Sequence, residues 1–369
     1  MNRLFRWDQT GLFLLALAAG ILPFAVPEVC AAALREGLAL CSGSLLLSLF
    51  PFLVVSRLLV QCPESDLLAL PFRLAAWGIG IRTPCAARVL CIGFLGGFAP
   101  AASAAAQAVR TGQLTAEEAD ALLPACICSG PSFVVLTVGQ SLLGSAELGV
   151  LLFASQITAN YLTAALLNRF AGVRSAKPGS AVPAFPAPPR LDEILADAAI
   201  TYCKLCGFIL FFRLLAAGAG ALLPTGAGTL CAILLEVCSG CDLASRTGRW
   251  GSLLCCAALS VQGLSVLLQV RTICPPEMTL RPLYRARMLH LPLSLALFYL
   301  LLPGGEADVF STLPARVLLM RRVPPDCALL VFAVCCMAAC TLRSGIRQVE
   351  QKQMARNAGG CCINSKTLL

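Results

Sequence analysis

Nine stretches of this chain carry no Asp, Glu, Lys or Arg: residues 9–27, 37–56, 89–109, 121–146, 148–168, 214–235, 250–270, 291–305 and 327–342. Seven of them are 19 residues or longer, and a helix needs about 20 apolar residues to cross the hydrocarbon core of a bilayer. A further segment, 194–212, is apolar but holds Asp197 and Lys204. Runs of this length, repeated this often, predict an all-α polytopic membrane protein with about 8–10 apolar segments. A soluble domain is excluded by charge: 13% of the residues are charged, against about 25% in an average globular domain. A transmembrane β-barrel would alternate apolar and polar residues over about ten positions, and these runs do not.

The N-terminal "MNRLFRWDQTGLFLLALAAGILPFAV" has a basic start and an apolar core. In a chain with so many later spans it reads as an uncleaved first span rather than a signal peptide. The formal net charge is +9, yet no basic stripe interleaved with aromatics points to nucleic acid. The excess lies in Arg3 and Arg6, in Arg169, Arg174, Lys177 and Arg190, and in Arg343, Arg347, Lys352, Arg356 and Lys366. The positive-inside rule reads these segments as cytoplasmic. With both termini inside, the number of crossings is even. The 21 cysteines include two CxxC pairs, Cys203/Cys206 and Cys238/Cys241, and three doublets. They are scattered through apolar runs and the one histidine is His290. They therefore read as small buried apolar residues in a reducing environment, not as a metal site.

Residues 171–190, "AGVRSAKPGSAVPAFPAPPR", form a Pro/Ala-rich linker near the middle of the chain. The halves on either side echo each other. "PFLVVSRLL" at 51–59 matches "GFILFFRLL" at 207–215, setting Arg57 against Arg213. A glycine-containing break follows in each: "GFLGGFAPAAS" at 93–103 and "LLEVCSGCDLAS" at 234–245. A second break follows: "CSGPSFVVLTVG" at 128–139 and "VQGLSVLLQV" at 261–270. Three matches in the same order predict an internal duplication.

The breaks set the functional expectation. Irregular backbone at membrane depth is tolerated only where it is buried in protein or lines a cavity. Glycine and proline breaks at corresponding places in two halves point to a transporter site. Ser129-Gly130-Pro131 would free backbone N–H and C=O groups for a polar ligand, and half-helix N-termini suit carboxylate or phosphate. Glu236 ends an apolar run, where it binds a coupling cation, relays a proton or hydrogen-bonds a ligand. The plain alternative is an interfacial Glu, or one paired to Arg246 or Arg249. Gln262, Ser265 and Gln269 are spaced i, i+3, i+7 and so predict one polar helix face. Arg57 and Arg213 are anion partners or snorkel to the interface. No metalloprotease, phosphate-loop or nucleophile-elbow signature occurs.

The runs "LFPFLVVSRLL", "GGFAPA", "LTAEEADALLPACICSGPSFVVLTVG", "LLEVCSG" and "QGLSVLLQV" resemble the sporulation integral membrane proteins of the YlbJ type, which carry the nucleoside-recognition, or Gate, domain. The resemblance runs from about residue 40 to about 300. It is strongest at Phe50-Pro51-Phe52, the acidic turn 115–120, Ser129-Gly130-Pro131 with Phe133 and Gly139, Glu236 with Gly240, and Gly263-Leu264-Ser265 with Gln269. It implies two Gate-like repeats with discontinuous or re-entrant helices: an N-terminal span 1–36, repeats 37–170 and 191–302 around the linker, a loop and last span 303–342, and a basic tail 343–369. It also implies a multi-pass protein of the mother-cell or outer forespore membrane. That protein would move a small anionic or polar solute, with dipicolinic acid first in line, no cofactor, and a proton or sodium as coupling ion. Its partners would be the bilayer, the solute and, as an open option, a second copy of the chain. The substrate-binding positions would be Gly97, Pro100, Ser103, Ser129, Gly130, Pro131, Ser132, Glu236, Ser239, Gly240, Gln262, Gly263, Ser265 and Gln269. Two departures touch the substrate. Gly97-Phe98-Ala99-Pro100-Ala101-Ala102-Ser103 replaces the family's Gly-Tyr-Pro-x-Gly-Ala-Lys, and no Asn precedes Ser129-Gly130-Pro131. A nucleoside transporter and a non-transporting assembly or gating subunit remain the alternatives.

Overall fold

The computed structural model describes residues 9–61, 65–172 and 191–302. Most of the linker, the expected last span 303–342 and the basic tail lie outside the described residues. Every regular element among the described residues is helical. Three helical stretches, Ala146–Ala171, Leu191–Leu222 and Gly248–Ile273, are long and apolar enough to cross a membrane, and a fourth counts if residues 13–25 and 27–42, bent by 112°, are one span. The third contains a break at Gln262, described below. The chain is thus compatible with a multi-pass integral membrane protein.

The chain opens with α1 (Gln9–Ala25) and α2 (Pro27–Ser42). Their sharp bend follows from Pro27, which starts α2 without an N–H to donate back. The expected boundary at 36/37 falls inside α2. After α3 (Ser44–Gln61) and the short α4 (Ser65–Leu68) and α5 (Leu70–Gly78), the helices come in broken pairs. α6 (Pro84–Gly96) and α7 (Phe98–Arg110) are split by Gly97; α8 (Ala116–Cys126) is split by residues 127–131 from a π-helix, Ser132–Leu142; the long α9 (Ala146–Ala171) closes the half. The second half runs α10 (Leu191–Leu222), then α11 (Thr225–Leu235) and α12 (Val237–Ser245) split by Glu236, then α13 (Gly251–Val261) and α14 (Gly263–Ile273) split by Gln262, then α15 (Arg281–Leu301). Broken pair, broken pair, long helix is the order in both.

Composition explains the packing. α7 is built from alanines that are buried on every side, and small residues let neighbouring backbones approach closely without lipid between them. It packs on α6, α3, α8 and α14. The π-helix lies against α9 at Gly139 and Gly149, where a Cβ on Gly139 would sit 2.5 Å from the Gly149 Cα. α15 joins the halves, packing on α8, α9 and α13. α10 has 32 residues, about 48 Å at roughly 1.5 Å each, which exceeds the ~30 Å hydrocarbon core. That excess places Asp192, Glu193, Asp197 and Lys204, all in its first 14 residues, toward an interface. The uncharged run 214–235 is not one segment; the chain turns at Leu223-Pro224. Ten of the 14 described cysteines are buried among these helices, the packing role read from sequence.

The acidic turn 115–120 is a double fastening. Thr115 accepts from the Glu118 N–H and Glu118 accepts in return from the Thr115 N–H, a reciprocal N-cap of α8. Asp120 accepts from the Thr279 N–H at 2.8 Å, the Thr279 hydroxyl at 2.6 Å and the Leu280 N–H at 3.1 Å, tying the first half to the loop before α15. Asp120→Ala removes a carboxylate acceptor from three donors. It is expected to lower unfolding stability by about 2–3 kcal/mol, read as a lowered thermal midpoint of the detergent-purified protein. A midpoint equal to wild type would show that solvent replaces Asp120 there.

Candidate functional site

Each break is built by a residue the helix cannot absorb. Gly97 sits at φ 80°, ψ −163°, a region open in practice to glycine alone. Its N–H donates to the Gly93 carbonyl, ending α6, and its carbonyl accepts from Ala101, starting α7. A Cβ here would lie 2.6 Å from the Gly130 nitrogen, so the first two breaks touch. At the second break Ile127 leaves the helix, and Pro131 cannot donate back. The N–H groups of Ser132 and Phe133 find no acceptor among the described residues. Glu236 is extended, φ −152°, ψ 127°, and its carboxylate accepts from the N–H of Cys238 at 2.8 Å and of Ser239 at 2.7 Å. Gln262 is left-handed at φ 63° and Gly263 follows at φ 68°. A Cβ on Gly263 would lie 2.9 Å from the Glu236 nitrogen, so the last two breaks touch as well.

Three of the four breaks meet at one cavity, and the helix that follows the fourth completes its wall. Ser129, Gly130, Ser132 and Phe133 come from the second break, Gly96 and Phe98 flank the first, Glu236 is the third, and Gln269 reaches in from α14. Leu45 and Leu49 of α3 and Ile209 of α10 close the far side. The cavity holds about 60 Å³, room for about four waters at roughly 15 Å³ each. The polar residues of its lining are Ser129, Ser132, Glu236 and Gln269, and the N–H groups of Ser132 and Phe133 at its wall have no acceptor among the described residues. The Gln269 nitrogen donates to Ser265 at 2.9 Å while its oxygen is buried without a partner.

Five of the sequence-derived positions therefore line the cavity: Ser129, Gly130, Ser132, Glu236 and Gln269. Gly97 and Gly263 stand behind them as points of close backbone approach. Pro100 packs on Gly96, and Gly240 lets α12 approach the Ile233 backbone of α11. Ser239 serves through its N–H, and Pro131 precedes the π-helix. Gln262 does not share a helix face with Ser265 and Gln269. Its left-handed backbone makes it the break itself, so the polar stripe shortens to Ser265–Gln269. Ser103 lies away from this cavity. Arg57 and Arg213 are engaged with carboxylates of this chain: Arg57 with Asp197 at 2.5 Å, Arg213 with Glu36 at 2.6 Å. Neither lines the cavity. Arg246 pairs with Asp242 and Arg249 lies over the Trp250 ring, so Glu236 is held by backbone N–H groups instead.

Sequence reasoning missed a buried polar network that braces the breaks. Arg287, on α15, donates to the Ile127 carbonyl at 2.5 Å and to the Ser260 carbonyl at 3.3 Å. These carbonyls end α8 and α13. Asn160 also donates to Ile127. Gln156 donates to Ser260 at 3.0 Å, the Ser260 and Ser294 hydroxyls bond at 2.5 Å, and His290 meets the Gln156 carbonyl at 3.2 Å. The signal was present: Leu283, Arg287, His290, Ser294 and Phe298 follow helical spacing, and all five are buried.

Glu236→Gln keeps one capping oxygen and turns an N–H₂ toward backbone donors. It is expected to lower stability by about 1–2 kcal/mol, seen as a lower unfolding midpoint. An unchanged midpoint would mean the cap is dispensable.

Comparison with known protein families, curated proteins and solved structures finds no match for this chain. The fold and site define a helical, membrane-compatible chain with a break-lined central cavity.

Proposed function

We propose that this chain is a polytopic membrane transporter of a small anionic or polar solute, acting in sporulation, with dipicolinic acid moved from the mother cell toward the forespore as the first substrate. The observation that carries the reading is the convergence of three helix breaks on one cavity, with the fourth packed directly against the third. Backbone that departs from helix inside an apolar bundle needs a partner, and two N–H groups at the second break have none within the described chain. The matching order of broken pairs in the two halves supports the duplication and, with it, the Gate-like resemblance. The mouth and walls must part for passage, since room for about four waters is less than a planar aromatic dicarboxylate fills.

The lining shapes the substrate choice. It holds one carboxylate and no Lys or Arg. A dicarboxylate would meet Glu236 as a like charge in a poorly screened site, so it enters with protons or a cation. A nucleoside brings no such charge, and this lining favours it as the second substrate. The non-transporting assembly subunit is favoured by a different observation: Arg287, Asn160 and Glu236 satisfy part of the broken backbone from within.

The test is uptake by vesicles carrying the purified protein, with dipicolinate and uridine offered separately under proton and sodium gradients. Dipicolinate uptake that a cation gradient accelerates, and whose cation dependence Glu236→Gln alters, is the expected result. Uridine uptake alone would reassign the substrate. Correctly inserted protein that moves neither would leave the assembly-subunit reading.

A further inference from the structure

A second cavity of about 160 Å³ lies one to two helical turns from the first, along the same four helices. α3 gives Leu49 to the central cavity and Arg57 to this one; α7 gives Phe98 and then Ser103 and Arg110; α10 gives Ile209 and then Thr201 and Lys204; α14 gives Gln269 and then Thr272. Between the two lies an apolar layer in which Leu53, Ala99 and Leu205 are almost wholly buried. The second cavity sits on the side of α10 that the linker enters, the side the sequence reads as cytoplasmic.

Its chemistry is the reverse of the central cavity. Arg57, Arg110 and Lys204 line it against one acid, Asp197. Asp197 is committed to Arg57, and the Arg57 Nε is buried with no partner. Arg110 and Lys204 have no ion-pair partner among the described residues. The hydroxyls of Ser103 and Thr201 have no hydrogen-bond partner among the described residues, and Ser103 is buried. Two cations beyond the paired one, two unused hydroxyls and a recess between four helices describe a receptor for an oxyanion: guanidinium and ammonium donate charge-assisted bonds to carboxylate or phosphate oxygens. A competing structural role exists. α3, α7 and α14 end nearby, and cations complement helix C-termini. That role uses up neither the hydroxyls nor the cavity.

We propose that this basic vestibule is an oxyanion-binding site, separate from the central cavity, for a small carboxylate or phosphate group. The group belongs either to a free solute or to an anionic lipid headgroup: both present the same oxyanion to guanidinium and ammonium, and basic pockets between membrane helices bind lipid headgroups. The site stands whether or not the central cavity transports.

The experiment uses the full chain, purified in a neutral detergent free of phosphate. Inorganic phosphate is titrated calorimetrically into wild type, Arg110→Gln/Lys204→Gln and Gly130→Val. In parallel, unfolding midpoints are compared in phosphatidylcholine nanodiscs with and without phosphatidylglycerol. Both substituted cations are exposed at the cavity edge, so the double variant keeps its packing, and Lys204→Arg is the charge-preserving control. A free-solute site gives saturable phosphate binding that the double variant weakens about tenfold or more, with Gly130→Val and Lys204→Arg close to wild type. A headgroup site gives no phosphate heat in detergent but a phosphatidylglycerol-dependent rise in midpoint that the double variant loses. Equal phosphate affinity and equal lipid response in wild type and double variant would overturn the proposal and return the cations to a helix-end role.

Discussion

Arg287→Met is expected to lower the unfolding stability of this protein by about 3 kcal/mol or more, one of the two largest effects of any single substitution considered. The guanidinium is buried, 8% exposed, and it donates to carbonyls at the ends of α8 and α13. Both helices stop there because the backbone breaks, so their last carbonyls have no next turn to accept from. A charge-assisted bond to a buried acceptor contributes about 1.5–3 kcal/mol, and the partial negative charge at two helix ends adds to the attraction. The opposing term is the desolvation of a cation that has no carboxylate partner among the described residues; removing it relieves a cost. The bonds outweigh it here because Met refills the volume but gives neither carbonyl a donor, and Asn160 covers Ile127 alone. Arg287→Lys is expected to fall between, since an ammonium on a flexible stem reaches one carbonyl well but not both in a fixed fork. Thermal unfolding of the three proteins in one detergent decides it. A Met variant as stable as wild type would mean that the desolvation cost matches the bonds.

The breaks were legible and their braces were not, for one physical reason. A break is a local event. Gly97, Ser129-Gly130-Pro131 and Gly263 announce themselves because glycine and proline change what the backbone can do at that position. A brace is a tertiary event. Arg287 sits in "RPLYRARMLHL", where four basic residues look like the solvated start of a helix, and only helical phase separates buried Arg287 from exposed Arg285. Glu236 was legible as an unusual acid, but its partners are the N–H groups two and three residues on, a contact fixed by the extended backbone at 236. Arg57 and Arg213 were legible as a matched pair, while their carboxylates, Asp197 and Glu36, are 140 and 177 residues away. Gln262 misled for a converse reason: an i, i+3, i+7 spacing holds only if the helix is unbroken, and Gly263 lets it turn left-handed. Among the described residues the apolar runs are helical, but a run can contain a turn, as 214–235 does at Pro224.

Gly97→Ala is the other large effect, and it separates two costs that a glycine can hide. The Gly97 backbone, at φ 80° and ψ −163°, costs an L-residue about 1–3 kcal/mol in strain alone. The added methyl would then lie 2.6 Å from the Gly130 nitrogen and 3.0 Å from its Cα. These are backbone atoms, so relief requires the first two breaks to move apart. Gly144 supplies the control. It is also at positive φ, 77°, but nothing lies within 4 Å of its would-be Cβ. Gly144→Ala is expected to cost about 1 kcal/mol and to leave the cavity intact. Gly97→Ala is expected to cost about 3 kcal/mol or more and, wherever the protein still folds, to deform the cavity that the first two breaks line. Gly130, which the sequence also places at a break, tolerates a methyl better: its Cβ would meet the Gly96 carbonyl at 3.4 Å, an ordinary contact. The expected order of damage is therefore Gly97→Ala, then Gly130→Ala, with Gly144→Ala showing strain without crowding. Equal losses at Gly97 and Gly144 would place the whole cost in backbone strain, and the touching of the two breaks would then carry no weight in holding the cavity together.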